Sequence, residues 1–166
     1  MDKRPIIEIK PTKTDNFVEA LAYLALIALW IMTIVSFNSL PDSIPIHYNG
    51  LGEVDNYGKN TSIFLLPIIG SFLFMLLTVF NKNPENFNYN IKITEDNAEK
   101  QYTNATKMMR FLKLTVIIIF IMIDFQTIQT AKGKSDGIGI WFLPLTFGLI
   151  FIPLGYFAYK SYKQKS

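Results

Sequence analysis

The chain has 166 residues, of which 50% are hydrophobic and only 17% charged, with a formal net charge of +3 and a pI near 9.0. Soluble domains of this size carry about 25% charged residues, so a water-soluble core is set aside, and with it direct nucleic-acid binding, because the basic residues flank apolar runs where they act as topology signals and meet anionic headgroups. There is no cysteine, which excludes both a disulfide framework and a thiolate metal site.

The first apolar run covers residues 17–37. About 20 apolar residues at ~1.5 Å rise match the ~30 Å hydrocarbon core of a bilayer. The run is too long for a signal-peptide h-region, and no small-x-small site comes after it at Ser36-Phe37-Asn38-Ser39-Leu40, so an uncleaved span is expected. Glu19, near one edge, is expected to snorkel, and Trp30, mid-span, to pack against a neighbour.

A polar loop occupies residues 38–60. Pro41 and Pro45 bias the residues before them toward extended backbone. Asn49-Gly50 and Gly52 accept positive φ and predict a tight turn after Tyr48. Ile44, Ile46 and Tyr48 alternate on the approach, and Val54, Tyr57 and Gly58 lie beyond the turn. The spacing predicts a small extended or hairpin-like cap over one end of the bundle.

The second span, 61–80, contains Pro67. In the segment 81–110, Pro84 is a stop signal, and Phe87, Tyr89, Ile91 and Ile93 alternate with Asn88, Asn90 and Lys92, the period of a strand. Thr94 is an expected N-cap, with Glu95 and Asp96 in the first turn. Ala98, Tyr102, Ala105, Met109 and Leu112 then form an apolar stripe at helical spacing, and nothing interrupts a single helix over 95–130, whose apolar part is 111–128. The stripe over 95–112 either packs on the bundle's own ends or docks a cytoplasmic regulator. The fourth span, 138–160, carries Pro144 and Pro153, with Gly148 and Gly155 nearby.

Basic residues set the expected sidedness. Lys3, Arg4, Lys10 and Lys13 precede the first span, the second loop has Lys82, Lys92, Lys100, Lys107 and Arg110, and Lys160, Lys163 and Lys165 close the chain. The loop 38–60 has only Lys59 against Asp42, Glu53 and Asp55. The positive-inside bias therefore places both termini in the cytoplasm and this loop outside. The expected fold is an all-α integral membrane domain over 1–166: four transmembrane helices, N-in/C-in, a hairpin-like outer loop and a cytoplasmic extension of the third helix.

Asp124 lies ~20 Å beyond the inner edge of the third span. A carboxylate at mid-membrane costs about 2.5–3.5 kcal/mol. Either the span is set lower and Asp124 nears the interface, or Asp124 and Gln126 line a polar pocket beneath the outer cap. His47 is the only histidine. A zinc site needs three or four ligands, and only Asp42, Glu53, Asp55 and Asp124 are available to join it. Residues 55–60 lack the alternating oxygen ligands of a calcium loop, and no H-E-x-x-H, G-x-S-x-G or phosphate-binding loop occurs. No catalytic residue, metal ligand or cofactor is assigned.

The run L-P-x-x-I-P-x-H-Y-N-x-x-G-x-x-D-x-Y-G, standing here as residues 40–58 between two spans, resembles the signature of an uncharacterised bacterial membrane-domain family. That domain also forms the N-terminal part of SdpI-type toxin-immunity proteins. Phe87-Asn88-Tyr89, Ile93-Thr94-Glu95 and Gln101-Tyr102 resemble the segment after the second span in short members of that family. The resemblance is specific from Leu40 to Pro67 and looser to Arg110. It implies a bacterial cytoplasmic-membrane protein without enzymatic activity, and in SdpI-type members protection from a secreted toxic peptide and signalling by holding a repressor at the membrane.

Three functions are weighed. The first is a non-enzymatic receptor- or immunity-like protein binding an extracellular peptide or small amphiphile through His47, Tyr48, Asn49, Asp55, Tyr57, Asp124 and Gln126, with His47 and Asp124 lining one site and Pro41, Pro45, Gly50, Gly52 and Gly58 shaping the turn. The alternative is a small proton-coupled transporter using Asp124, for which four spans call for an oligomer. A membrane metalloenzyme is least favoured. The lipid bilayer is the partner common to all three.

Overall fold

The computed structural model describes residues 4–164; Lys3 and Lys165, two of the basic tail residues, lie outside them. Thr12 and Asp15 start the first helix, α1 (Lys13–Phe37). The Asp15 carboxylate accepts from the Thr12 amide and hydroxyl, each at 2.7 Å, and the Thr12 hydroxyl accepts from the Asp15 amide, a capping box that begins the helix four residues before the apolar run. A two-stranded antiparallel hairpin comes next, β1 (Ser43–Tyr48) and β2 (Val54–Lys59). A 3-10 turn over Asn60–Phe64 runs directly into α2 (Leu65–Phe80). After an irregular connection come α3 (Glu95–Ala131) and α4 (Phe142–Lys163).

The helices Lys13–Phe37, Asn60–Phe80, Glu95–Ala131 and Phe142–Lys163 are long and apolar enough to cross a membrane. Their outward faces leave Leu24, Ile27, Ile31, Val35, Phe72, Met75, Phe151 and Ile152 exposed, a surface that water would penalise and lipid accepts. The chain is a multi-pass membrane protein.

The helix α3 is the centre of the bundle and packs against α1, α2, α4 and β1. On α1 the buried residues Asp15, Val18, Ala22, Leu29 and Thr33 lie along one helical face. On α2 the face is Pro67, Gly70 and Phe74, and a Cβ at Gly70 would come within 3.2 Å of Phe120 and 3.4 Å of Ile117, so the missing side chain lets α2 lie close on α3. Trp30 packs as expected, donating to the Ser71 hydroxyl of α2 at 2.9 Å.

Several expectations change. Residues 87–93 form no strand: a 3-10 turn over Pro84–Asn86 leads into irregular backbone, and the alternation arises because Tyr89, Ile91 and Ile93 pack with Ile7 and Ile9 onto Ala98 and Tyr102. Ala98 and Tyr102, the first two residues of the apolar stripe, are thereby covered by Ile7 and Ile9 together with the 89–93 connection. Pro67 and Pro144 do not interrupt their helices, since each is the third residue, where no intrahelical donor is needed; Pro153 is the one inside α4. The helix α4 starts at Phe142 and not at 138, because Gly137 and Gly139 adopt positive φ and tie the preceding loop to the hairpin. The termini, the 84–94 connection and the start of α3 thus share one end of the bundle, and the hairpin and the α3–α4 loop share the other.

Candidate functional site at the hairpin end

An isolated two-stranded hairpin is marginal in water, and this one is held from three directions. Asn49 organises the turn: its side-chain oxygen accepts from the amides of Leu51 (2.9 Å) and Glu53 (3.1 Å), and its amide nitrogen donates to Glu53 Oε2 at 2.9 Å. Gly52 has φ +79°, and its carbonyl accepts from the amides of Ile138 (2.8 Å) and Gly139 (3.3 Å), fastening the turn to the α3–α4 loop. A Cβ at Gly52 would overlap the Gly139 backbone. Gly50, by contrast, does not take positive φ, and a side chain there would meet open space. Glu53 also bridges to Gly137. The third hold is Ile44, buried with Ile63 of the 3-10 turn and Ile128 of α3.

The register runs Ser43↔Lys59, Ile44↔Gly58, Pro45↔Tyr57, His47↔Asn56 and Tyr48↔Val54, with irregularities between Pro45 and His47 and between His47 and Tyr48. Ile46 and Asp55 are the unpaired residues. Pro45 has no amide hydrogen to continue the ladder, and a bulge at that point is the usual accommodation. The bulge breaks the expected alternation of Ile44, Ile46 and Tyr48. Ile44 is buried, whereas Ile46 is exposed and lies over Gly58, where a Cβ would come within 2.9 Å of its Cδ1. The neighbours His47 and Tyr48 point to opposite faces, as successive strand residues do.

His47 faces solvent, its side chain 68% exposed, with Nδ1 2.6 Å from Asp55 Oδ1. Tyr48 points the other way, packs among Ile119, Ile138 and Phe142, and shares a 2.9 Å hydrogen bond with the Thr127 hydroxyl of α3. Burial pushes the Tyr48 phenol above its ordinary value, with Thr127 opposing. Asp124 is fully buried, its Oδ2 accepting from the Thr33 hydroxyl of α1 at 2.6 Å while its Oδ1 has no partner. The same hydroxyl lies 2.9 Å from the Leu29 carbonyl of its own helix, and its single hydrogen serves one of the two acceptors at a time. Gln126 sits elsewhere on α3 and donates to the Gly137 carbonyl (3.1 Å) and the Ser135 hydroxyl (3.3 Å).

The seven predicted residues therefore separate into groups. His47 and Asp55 form an exposed pair, and Tyr57 is exposed nearby on β2. Asn49 builds the turn. Tyr48 and Asp124 lie beneath the hairpin, and Gln126 fixes the α3–α4 loop. The expected contact between His47 and Asp124 does not form, because His47 alternates with inward-pointing Tyr48 and so faces outward to Asp55, while Thr33 takes Asp124.

A second polar cluster, at the opposite end, was not expected from the sequence. The Glu19 side chain, 26% exposed, pairs through Oε1 with Lys113 Nζ, and Lys113, 2% exposed, also donates to the Thr78 hydroxyl at 2.9 Å. The available signal was one acidic and one basic residue near the same end of two spans, each read singly.

Residues 24–70 match the family described as Domain of unknown function (DUF1648), a window that holds most of α1, the whole hairpin and the start of α2. An uncharacterised protein of Archaeoglobus fulgidus is 28% identical over 79 residues, which are 46% of this chain and 43% of that relative. The similarity thus spans less than half of the relative's length. No solved structure matches the chain. These findings fit an uncharacterised family, the matched window running from within α1 through the hairpin to the first residues of α2.

Proposed function

We propose that this chain is a non-enzymatic receptor- or immunity-like protein of the bacterial cytoplasmic membrane, with both termini in the cytoplasm and the hairpin facing out, where it binds a peptide or small amphiphile. The observation that carries this reading is a hairpin fixed by Asn49, Gly52, Ile44 and Tyr48 that leaves His47, Asp55, Ile46, Leu51 and Tyr57 exposed. These side chains contribute little to the fold. A polar His47–Asp55 pair beside exposed apolar groups on an already ordered support suits an amphiphilic ligand, since little conformational freedom is lost on binding. The resemblance to the N-terminal part of SdpI-type immunity proteins supports the same reading.

The test is survival of cells under challenge by membrane-active amphiphilic peptides. Wild-type protein is expected to protect, and His47→Ala and Tyr57→Ala to lose protection at unchanged protein level. Equal protection by both variants would contradict the proposal.

A second reading, a proton-coupled transporter, rests on the unpartnered Oδ1 of buried Asp124 and predicts that Asp124→Asn abolishes proton flux in proteoliposomes. A metalloenzyme is least favoured, because Asp55 is the one carboxylate beside His47 among the described contacts. A cytoplasmic regulator would meet the 95–112 helix beyond Ala98 and Tyr102, which the chain itself covers.

A further inference from the structure

At the end of the bundle that carries the termini, α1, α2 and α3 surround a cavity of about 380 Å³. The N-terminal segment roofs it with Ile7 and Ile9, and that roof is tied down: Arg4 donates to the carbonyls of Glu85 (2.8 Å) and Phe87 (2.6 Å), and the Tyr102 hydroxyl to the Pro5 carbonyl at 3.0 Å. Three basic residues, Lys82, Arg110 and Lys113, line the cavity against two acidic ones, Glu8 and Glu19.

The cations are not equally satisfied. Lys113 has Glu19, Thr78 and the face of Phe74 at 4.4 Å. Arg110 has only a distant carboxylate, its Nε 3.9 Å from Glu19 Oε2, and its Nη1 is buried with no partner. Asn81 Oδ1, on the same wall, is also buried and unpartnered. A guanidinium stays charged, and its planar fork matches the oxygens of a phosphate. Leaving it buried and unpaired is unfavourable. The cavity therefore lacks one negative charge for Arg110 and one hydrogen-bond donor for Asn81.

The geometry points to a binding site here for a singly charged phosphodiester that bears a hydroxyl. The Arg110 fork takes the phosphate oxygens, and the hydroxyl donates to Asn81. The cavity lies where α1 begins and α2 ends, at headgroup depth, so this chemistry has two sources: the headgroup of a phospholipid such as phosphatidylglycerol, or a soluble glycerophosphodiester. The site is separate from the hairpin and independent of the ligand proposed there.

The full chain, purified free of phospholipid in an uncharged detergent, is followed by thermal unfolding. One arm adds phosphatidylcholine vesicles with or without phosphatidylglycerol; the other adds glycerophosphoglycerol against sodium chloride of equal ionic strength. A rise in Tm with either phosphodiester is expected, and the arm that shows it identifies the source. Arg110→Gln is expected to remove the rise, weakening binding about tenfold or more, each variant being compared with its own ligand-free Tm. Asn81→Ala weakens binding less and serves if Arg110→Gln does not fold. No rise in either arm, or a rise that both variants retain, would overturn the site.

Discussion

At the hairpin end the hydrogen-bonded pair His47–Asp55 faces solvent and backbone groups fasten the turn, whereas at the terminus end buried Lys113 meets the partly buried Glu19, with Arg110 nearby, and ties helix to helix. The difference teaches where substitution is tolerated. Exposed ion pairs contribute about 0–1 kcal/mol, while removing one partner of a buried pair costs about 3–5 kcal/mol. The hairpin end is free to vary its outward side chains for recognition; the terminus end is not.

Glu19→Ala breaks this contrast most forcefully, since it leaves the buried Lys113 ammonium without its carboxylate. A loss of about 3–5 kcal/mol is expected in denaturant unfolding in detergent, and a loss no larger than that of a surface change would place the cluster in contact with water. Next is Gly52→Ala, which combines positive φ with backbone overlap and should cost about 2 kcal/mol, read as faster hydrogen exchange over 43–59. Gly50→Ala, in the same turn, should stay within about 0.5 kcal/mol. If the two glycines respond alike, the turn is not docked through Gly52. Thr33→Val removes the hydroxyl that Asp124 accepts from and should cost about 1–3 kcal/mol, with Asp124→Asn in the same background restoring part of it. The smallest effect is expected for His47→Ala, within about 0.5 kcal/mol of wild type.

These contrasts trace the boundary between what a sequence carries locally and what the fold decides. The four spans were legible because bilayer thickness sets a length that composition alone can meet. Their ends were less so: α1 begins early through a Thr12–Asp15 capping box, and α4 begins late because Gly137 and Gly139 serve the hairpin. The alternation over 87–93 is real but comes from packing against Ile7 and Ile9, not from a ladder. At the site, the turn chemistry of Asn49 and Gly52 was readable from residue type. That His47 faces away from Asp124 follows from its alternation with Tyr48, but its pairing with Asp55 depends on the irregular register around His47. Lys113 and Glu19, 94 residues apart, meet only once α1 lies on α3.

The sidedness of the hairpin is the point on which its proposed role depends most directly. The chain has no cysteine, and Asn56 and Lys100 are both exposed, one at each end of the bundle. Single cysteines at these positions are treated with a membrane-impermeant thiol reagent on intact cells. Modification of the Asn56→Cys protein with protection of Lys100→Cys until the cells are opened is the predicted result. The reverse pattern would put the hairpin in the cytoplasm and contradict the outward-facing receptor.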